Sequence, residues 1–272
     1  MSLGGSLLVN WILLLKQKLT YKNGLQLAYM DIGDKQGFPV LVQHGLIASI
    51  RDYDLFDRLI QRGTRLICIA RPGYGESSQY LLGCYAEWAD LVSLVINELH
   101  LQRFDVLGIS SGAPFAYSIG DQFPDQVGSI FILSGMPALY DDVVRAYWPY
   151  EPIRDLSILN LEDLAHRWFF ANLTEKDMER NDIQDSLMNR GYGVAQDLRL
   201  RFMDWGFPLS DVKSRVLMRH SKEDEAVPFQ AAVRMSELLP DCYLDLLESG
   251  PHFSQDVLDK FVEETILPNL PD

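Results

Sequence analysis

The segment Phe104-Asp105-Val106-Leu107-Gly108-Ile109-Ser110-Ser111-Gly112-Ala113 constrains the fold of this chain more than any other. Its first half is an apolar run of strand length. Its second half is a tight Gly-x-Ser-x-Gly turn that leads into a helix. An apolar strand that turns at once into a helix belongs in a parallel sheet covered on both faces. The glycines Gly108 and Gly112 mark a turn too crowded and strained for side chains on both flanks. Such a turn lifts Ser110 to an exposed apex. There the first N–H groups of the helix and the positive end of its dipole face whatever approaches the hydroxyl. A serine hydroxyl is a weak nucleophile, so chemistry at this apex also needs a neighbouring base and backbone donors.

The flanking chain repeats the same rhythm. Gln17–Tyr21 and Leu25–Asp31 read as short strands joined by Lys22-Asn23-Gly24, a hairpin signal. Pro39–Gln43 is a strand ending at His44-Gly45, and Arg65–Ala70 is another ending at Arg71-Pro72-Gly73-Tyr74-Gly75. Within Tyr85–Leu99 the residues Trp88, Leu91, Val92, Val95, Ile96 and Leu99 recur at helical spacing. A helix then runs from the serine turn to about Gln122, and Val127–Leu133 is a further strand. His44, Arg71, Ser110 and Ser134 all fall at carboxyl ends of strands, where open α/β sheets gather their working groups.

From about Pro137 to Phe207 strand-like runs disappear, and Leu161–Leu173 and Glu175–Met188 read as helices. Strand Arg215–Arg219, helix Phe229–Leu239, strand Cys242–Leu247 and helix Ser254–Leu267 then restore the alternation. The predicted division is an N-terminal extension over 1–16, a core over 17–136 and 208–272, and a helical cap over 137–207. Trp148, Trp168 and Trp205 lie in that cap with many other aromatics. They serve either an apolar pocket or the cap's own core.

A length of 272 residues suits one α/β domain with an insertion. The 24 basic and 38 acidic residues leave a net charge of −14, which repels phosphate backbones and argues against nucleic acid and anionic membranes as partners. Cys68, Cys84 and Cys242 are odd in number and hold no Cys-x-x-Cys pair, which argues against a disulfide framework or a zinc site. They fit a reducing, cytoplasmic setting, with Cys68 and Cys242 buried in strands. The apolar run Leu7–Leu15 is too short to span a bilayer and is expected to pack as an amphipathic or irregular segment.

Taken in order, His44-Gly45, Arg71-Pro72-Gly73-Tyr74-Gly75-Glu76-Ser77, Gly108–Gly112, His220–Pro228 and Gly250-Pro251-His252-Phe253 resemble the α/β-hydrolase superfamily in its cap-bearing serine hydrolase branch. The resemblance runs from about Gln17 to Leu267. It implies an α/β-hydrolase fold, a mostly parallel sheet with helices on both faces and an inserted helical cap. It also implies that Ser110 is the nucleophile, with Ser111 as the neighbouring alternative. Of the five histidines, only His252 combines a loop after the last strand with the chain order serine, acid, histidine. Asp224 takes the acid position, four residues before Pro228. Glu223 and Glu225 are adjacent competitors, and Asp141 or Asp142 would serve if the acid followed the preceding sheet strand. The resemblance assigns an oxyanion hole to the backbone N–H groups of Leu46 and Ser111. His44 braces the first loop and is a pocket candidate with Trp148 and Trp168. Ala70 stands where an acidic residue usually precedes the arginine, so that loop promises no ion pair for Arg71.

The implied activity is serine hydrolysis of a small carboxylic ester or related acyl substrate, with no cofactor and no metal. C–C bond hydrolysis, aminopeptidase-type cleavage and other triad chemistry run on the same fold. A ligand sensor with little turnover is a further reading.

Overall fold

Each central strand is apolar on both faces, and each face finds its own cover. A computed structural model of the chain describes residues 16–153 and 156–271. The strands are β1 (Lys16–Tyr21), β2 (Leu25–Gly33), β3 (Pro39–Gln43), β4 (Arg65–Ile69), β5 (Phe104–Ile109), β6 (Val127–Leu133), β7 (Arg215–Ser221) and β8 (Cys242–Leu247). They form one sheet in the order β1-β2-β4-β3-β5-β6-β7-β8. β1 and β2 form the expected hairpin, β2 runs antiparallel to β4, and the remaining pairs are parallel. The hairpin turn uses left-handed backbone at Asn23 (φ 57°) and Gly24 (φ 81°), the two residue types that accept it most readily.

The helices that cover the sheet are α1 (Asp57–Gln61), α2 (Ala86–Glu98), α3 (Ala113–Gln122), α8 (Phe229–Leu238) and α9 (Gln255–Phe261). Strand side chains alternate between two cores. Phe104 and Val106 of β5 join Trp88 and Val92 of α2 and Phe115 and Ile119 of α3. Leu107 and Ile109 of the same strand join Leu59 of α1 and Leu258 and Phe261 of α9. The buried Trp88 indole N–H donates to Gln43 Oε1 at 2.8 Å and ties α2 to the end of β3. Strand order reverses at β3, which sits between β4 and β5. That places a crevice at the ends of β3 and β5, where ligands enter open α/β sheets.

Between β6 and β7 the chain forms α4 (Asp142–Arg145), α5 (Ile158–Ala165), α6 (Glu175–Met178) and α7 (Asn181–Leu200). The helix expected over Leu161–Leu173 is α5 followed by a wider π-type turn over His166–Phe170. The one expected over Glu175–Met188 is divided. α6 is closed at its start by a Thr174–Asp177 capping box, and a new helix opens at Asn181. α7 is itself interrupted where Asn189, Arg190 and Gly191 all take left-handed φ values of 54°, 63° and 72°. Trp205 is a core residue: its ring lies 5.9 Å from Tyr117 and 5.5 Å from Tyr85. The C-terminal helix runs over its expected span, widening into a π-type turn at Val262–Ile266 before a last turn over Leu267–Asn269. Cys68 is buried as expected, but Cys242 is only half-buried because β8 is an edge strand.

The Leu7–Leu15 run lies outside the described residues, as does the 1–16 extension apart from Lys16, which opens β1. Among the described residues no helix is long and apolar enough to cross a membrane.

Candidate active site

Ser110 sits directly after β5 with φ at +51°, a left-handed value that a non-glycine residue adopts only at a cost of about 1–3 kcal/mol. The flanking glycines make that turn possible. A Cβ on Gly112 would sit 2.0 Å from the Gln43 carbonyl oxygen, and one on Gly108 would sit 2.9 Å from the Ala116 Cβ. The Met136 N–H donates to the Ser110 carbonyl at 2.9 Å and fixes the strained residue from the other side.

Two loops bring a base and an acid to this apex. The loop after β8 presents His252, whose Nε2 lies 2.8 Å from Ser110 Oγ. The loop after β7 presents Asp224, whose Oδ2 lies 2.8 Å from His252 Nδ1. The other carboxylate oxygen of Asp224 accepts from the Ala226 and Val227 N–H groups at 2.9 Å each. Burial pushes the Asp224 carboxyl up. The His252 hydrogen bond and charge, the Val227 N–H and His220 outweigh that push and hold it below the usual carboxylate range. Asp224 is buried while Glu223 and Glu225 are exposed, so the acidic run turns one carboxylate inward. Asp141 is engaged elsewhere: it caps α4 by accepting from the Val143 and Val144 N–H groups at 2.9 Å. Asp142 pairs with Arg145 at the surface.

His220 is a second buried histidine behind the acid. Its Nε2–H donates to the Val227 carbonyl at 2.9 Å and lies 3.3 Å from Asp224 Oδ2. Burial lowers its pKa, so it stands there as a neutral ring.

His44 is held by its loop. Its Nδ1 lies 2.8 Å from the Gly45 carbonyl oxygen, and its Nε2 accepts the Arg71 N–H at 3.3 Å. Burial and the nearby Arg71 charge keep the ring neutral. Arg71 is fully buried and donates to the carbonyls of His44 at 2.6 Å and Gly45 at 2.8 Å. Its acid partner is Asp197 on α7, 2.6 Å away. The Tyr74 hydroxyl joins at 2.9 Å from Asp197 and 2.8 Å from the Leu46 carbonyl. Sequence reasoning missed Asp197, although an arginine closing a buried strand beside Ala70 signals that some distant acid must answer it.

A cavity of about 1040 Å³ opens over Ser110 and His252. Leu46, Ser111, His44, Trp148 and Trp168 all line it, so every pocket and backbone-donor candidate meets at one place. Trp148 is buried, whereas Trp168 is 55% exposed at the rim. Among the described residues no cluster of His, Cys, Asp and Glu is arranged to hold a metal ion. The arrangement can move a proton from a serine hydroxyl to an imidazole whose charged form rests on a buried carboxylate.

The model of the alpha/beta hydrolase family matches residues 40–264. A curated Escherichia coli enzyme, 2-hydroxy-6-oxononadienedioate/2-hydroxy-6-oxononatrienedioate hydrolase, is 21% identical over 253 residues, covering 85% of this chain and 86% of that enzyme. A protein of the same name from Cupriavidus pinatubonensis is 25% identical over 239 residues, covering 79% of this chain and 81% of that one. The solved structure of an esterase from Exiguobacterium antarcticum is similar with a TM-score of 0.70 and 22% identity, over 92% of this chain and 95% of that one.

Proposed function

Because the chain belongs to the alpha/beta hydrolase family, we propose that it is a serine hydrolase that cleaves a small carboxylic ester or related acyl compound through an acyl-enzyme on Ser110. The observation that carries this reading is the continuous hydrogen-bonded line Ser110 Oγ, His252, Asp224, with 2.8 Å at both joints. In this reading His252 Nε2 takes the hydroxyl proton as Ser110 Oγ attacks the carbonyl carbon. Asp224 fixes the Nδ1–H tautomer and stabilises the imidazolium that forms. The N–H groups of Leu46 and Ser111 receive the developing oxyanion. The imidazolium then gives its proton to the departing alkoxide. Water enters, His252 takes its proton, and the acid leaves with Ser110 restored.

The segment 137–207 acts as a cap over a core of 17–136 and 208–272. The cap supplies the aromatic roof of the cavity, and three free cysteines support a cytoplasmic setting.

A second reading, C–C bond hydrolysis, is supported by the names of the curated relatives. Both readings place the chemistry on Ser110. Ser110→Ala abolishes covalent labelling by a fluorophosphonate probe and lowers ester turnover by roughly 10³-fold or more. Labelling that persists and maps to Ser111 would remove Ser110 from the role. A panel of esters of graded acyl length, run beside a vinylogous 1,5-diketone, separates ester from C–C cleavage.

A further inference from the structure

The cavity carries a cation that nothing in the serine chemistry uses. Arg201 follows α7 and lines the same cavity as Ser110 and His252. Its guanidinium stands 5.8 Å from the centre of the Trp148 ring, also in the lining. Among the described residues no carboxylate lies within ion-pair distance of it, and its side chain makes no hydrogen bond. The acid one helical turn away, Asp197, is occupied by the Arg71 guanidinium and the Tyr74 hydroxyl. The other arginine of the lining, Arg180, is already paired with Asp182 and Asp177.

Burial disfavours the charge on Arg201, yet a guanidinium does not give up its proton in a protein. A half-buried cation with no partner is unfavourable until an anion reaches it. The acids that line the cavity, Asp52, Asp54, Glu151, Glu179 and Asp182, make no ion pair with it. A planar guanidinium backed by an aromatic ring suits a carboxylate, which it can hold through two parallel hydrogen bonds.

We infer that Arg201 binds a carboxylate of the substrate, so the preferred substrate is an acyl compound that carries a free carboxylate besides the bond that is cleaved. The inference rests on the serine hydrolase reading for the cleaved bond and on Arg201 alone for the charge.

The test pairs monomethyl succinate, glutarate and adipate with methyl butyrate, valerate and hexanoate, in which a methyl replaces the carboxylate. At low salt at least one charged ester exceeds its neutral partner in kcat/KM by about 10-fold or more, a hydrogen bond to a charged group being worth ~1.5–3 kcal/mol. Arg201→Gln lowers that charged-to-neutral ratio by roughly 10–100-fold, and Arg201→Lys keeps part of it. Neutral esters that match or beat every charged partner overturn the inference, as does a ratio that survives Arg201→Gln. If Arg201→Gln fails to fold, wild-type protein decides: adipate or glutarate slows fluorophosphonate labelling of Ser110, and lack of protection at millimolar dicarboxylate overturns the inference. If Ser110 is neither labelled nor able to turn over any ester, the hydrolase reading fails by itself. Arg201 is then judged by whether glutarate or adipate raises the melting temperature of wild type but not of Arg201→Gln.

Discussion

The floor and the roof of the cavity are built by opposite means. The floor comes from strand ends: Ser110 after β5, Asp224 after β7, and His252 after β8. Two of its parts, the serine turn and the acid, carry short-range signals in the chain. Gly108 and Gly112 permit the turn, and the Ala226 and Val227 N–H groups hold the acid. The roof comes from the β6–β7 segment. Its parts are set by partners more than a hundred residues away, such as Arg71 with Asp197 and Arg51 with Asp185. A floor of this kind fixes bond-making geometry. A roof of this kind can change its lining without disturbing that geometry, which is how one fold hosts many substrates.

The largest expected effect tests the floor. Asp224→Asn leaves the fold intact and lowers turnover by about 10⁴-fold, because the imidazole loses its tautomer and its counter-charge. Asp141→Asn, which alters only a helix cap, keeps turnover and costs at most about 1 kcal/mol of stability. Steady-state rates with a short ester compare the two. A collapse in Asp141→Asn with full activity in Asp224→Asn would place the acid one strand earlier.

The next effect tests the join between the two regions. Asp197→Asn leaves Arg71 buried without its counter-charge and destabilises the protein by about 3–5 kcal/mol, read from urea unfolding. The Arg71 donors to the His44 and Gly45 carbonyls then lose their anchor, so the loop carrying Leu46 loosens. A variant with wild-type stability would mean that this ion pair does not couple roof to floor.

The roof alone gives a smaller effect. Trp148→Ala enlarges the cavity and shifts the preferred acyl length by about 10–200-fold in relative kcat/KM, while fluorophosphonate labelling of Ser110 persists. Trp168, more than half exposed at the rim, shifts it less. An unchanged acyl profile in both variants would make these rings structural.

The same contrast decides what could be read from the chain without its fold. The floor was legible because strain leaves local marks. The Ser110 backbone value requires glycines beside it. Asp224 was separated from Glu223 and Glu225 only by the family resemblance, which puts the acid four residues before the proline of a Val-Pro pair. The alternation of apolar strands and amphipathic helices gave every sheet strand within one or two residues. The roof was not legible, since an aromatic list carries no direction. Trp148 faces the cavity, whereas Trp205 packs on Tyr85 and Tyr117 in the core. The break in α7 uses left-handed Asn189 and Arg190, a conformation that a helical pattern of apolar residues does not reveal. Asp197 and Arg201 stand one helical turn apart, yet one faces a buried arginine and the other an open cavity.

The smallest effect lies where floor and roof meet. Asp52, in the loop after β3, lines the cavity and accepts the Asn181 side-chain N–H of α7 at 2.8 Å. Its pKa is raised to about 6, chiefly by burial and then by the charges of Asp182 and Asp54, against the Asn181 hydrogen bond and Arg51. A carboxyl whose folded pKa lies above its unfolded value binds a proton more tightly in the native state. Its charge therefore costs stability above pH ~6, and that cost disappears as pH falls through about 6 towards the unfolded value of ~3.9. Asn is uncharged at every pH and keeps the oxygen that accepts from Asn181. Asp52→Asn should thus melt higher than wild type at pH 8, by an amount that shrinks through pH 6 and is gone near pH 4. Solvent contact on the cavity side screens the group, so the gain at pH 8 is smaller than the shift alone would imply. Melting curves at pH 4, 6 and 8 read the difference directly. A melting difference that does not vary with pH would show that Asp52 titrates as an ordinary surface carboxyl and that water fills the seam between roof and floor.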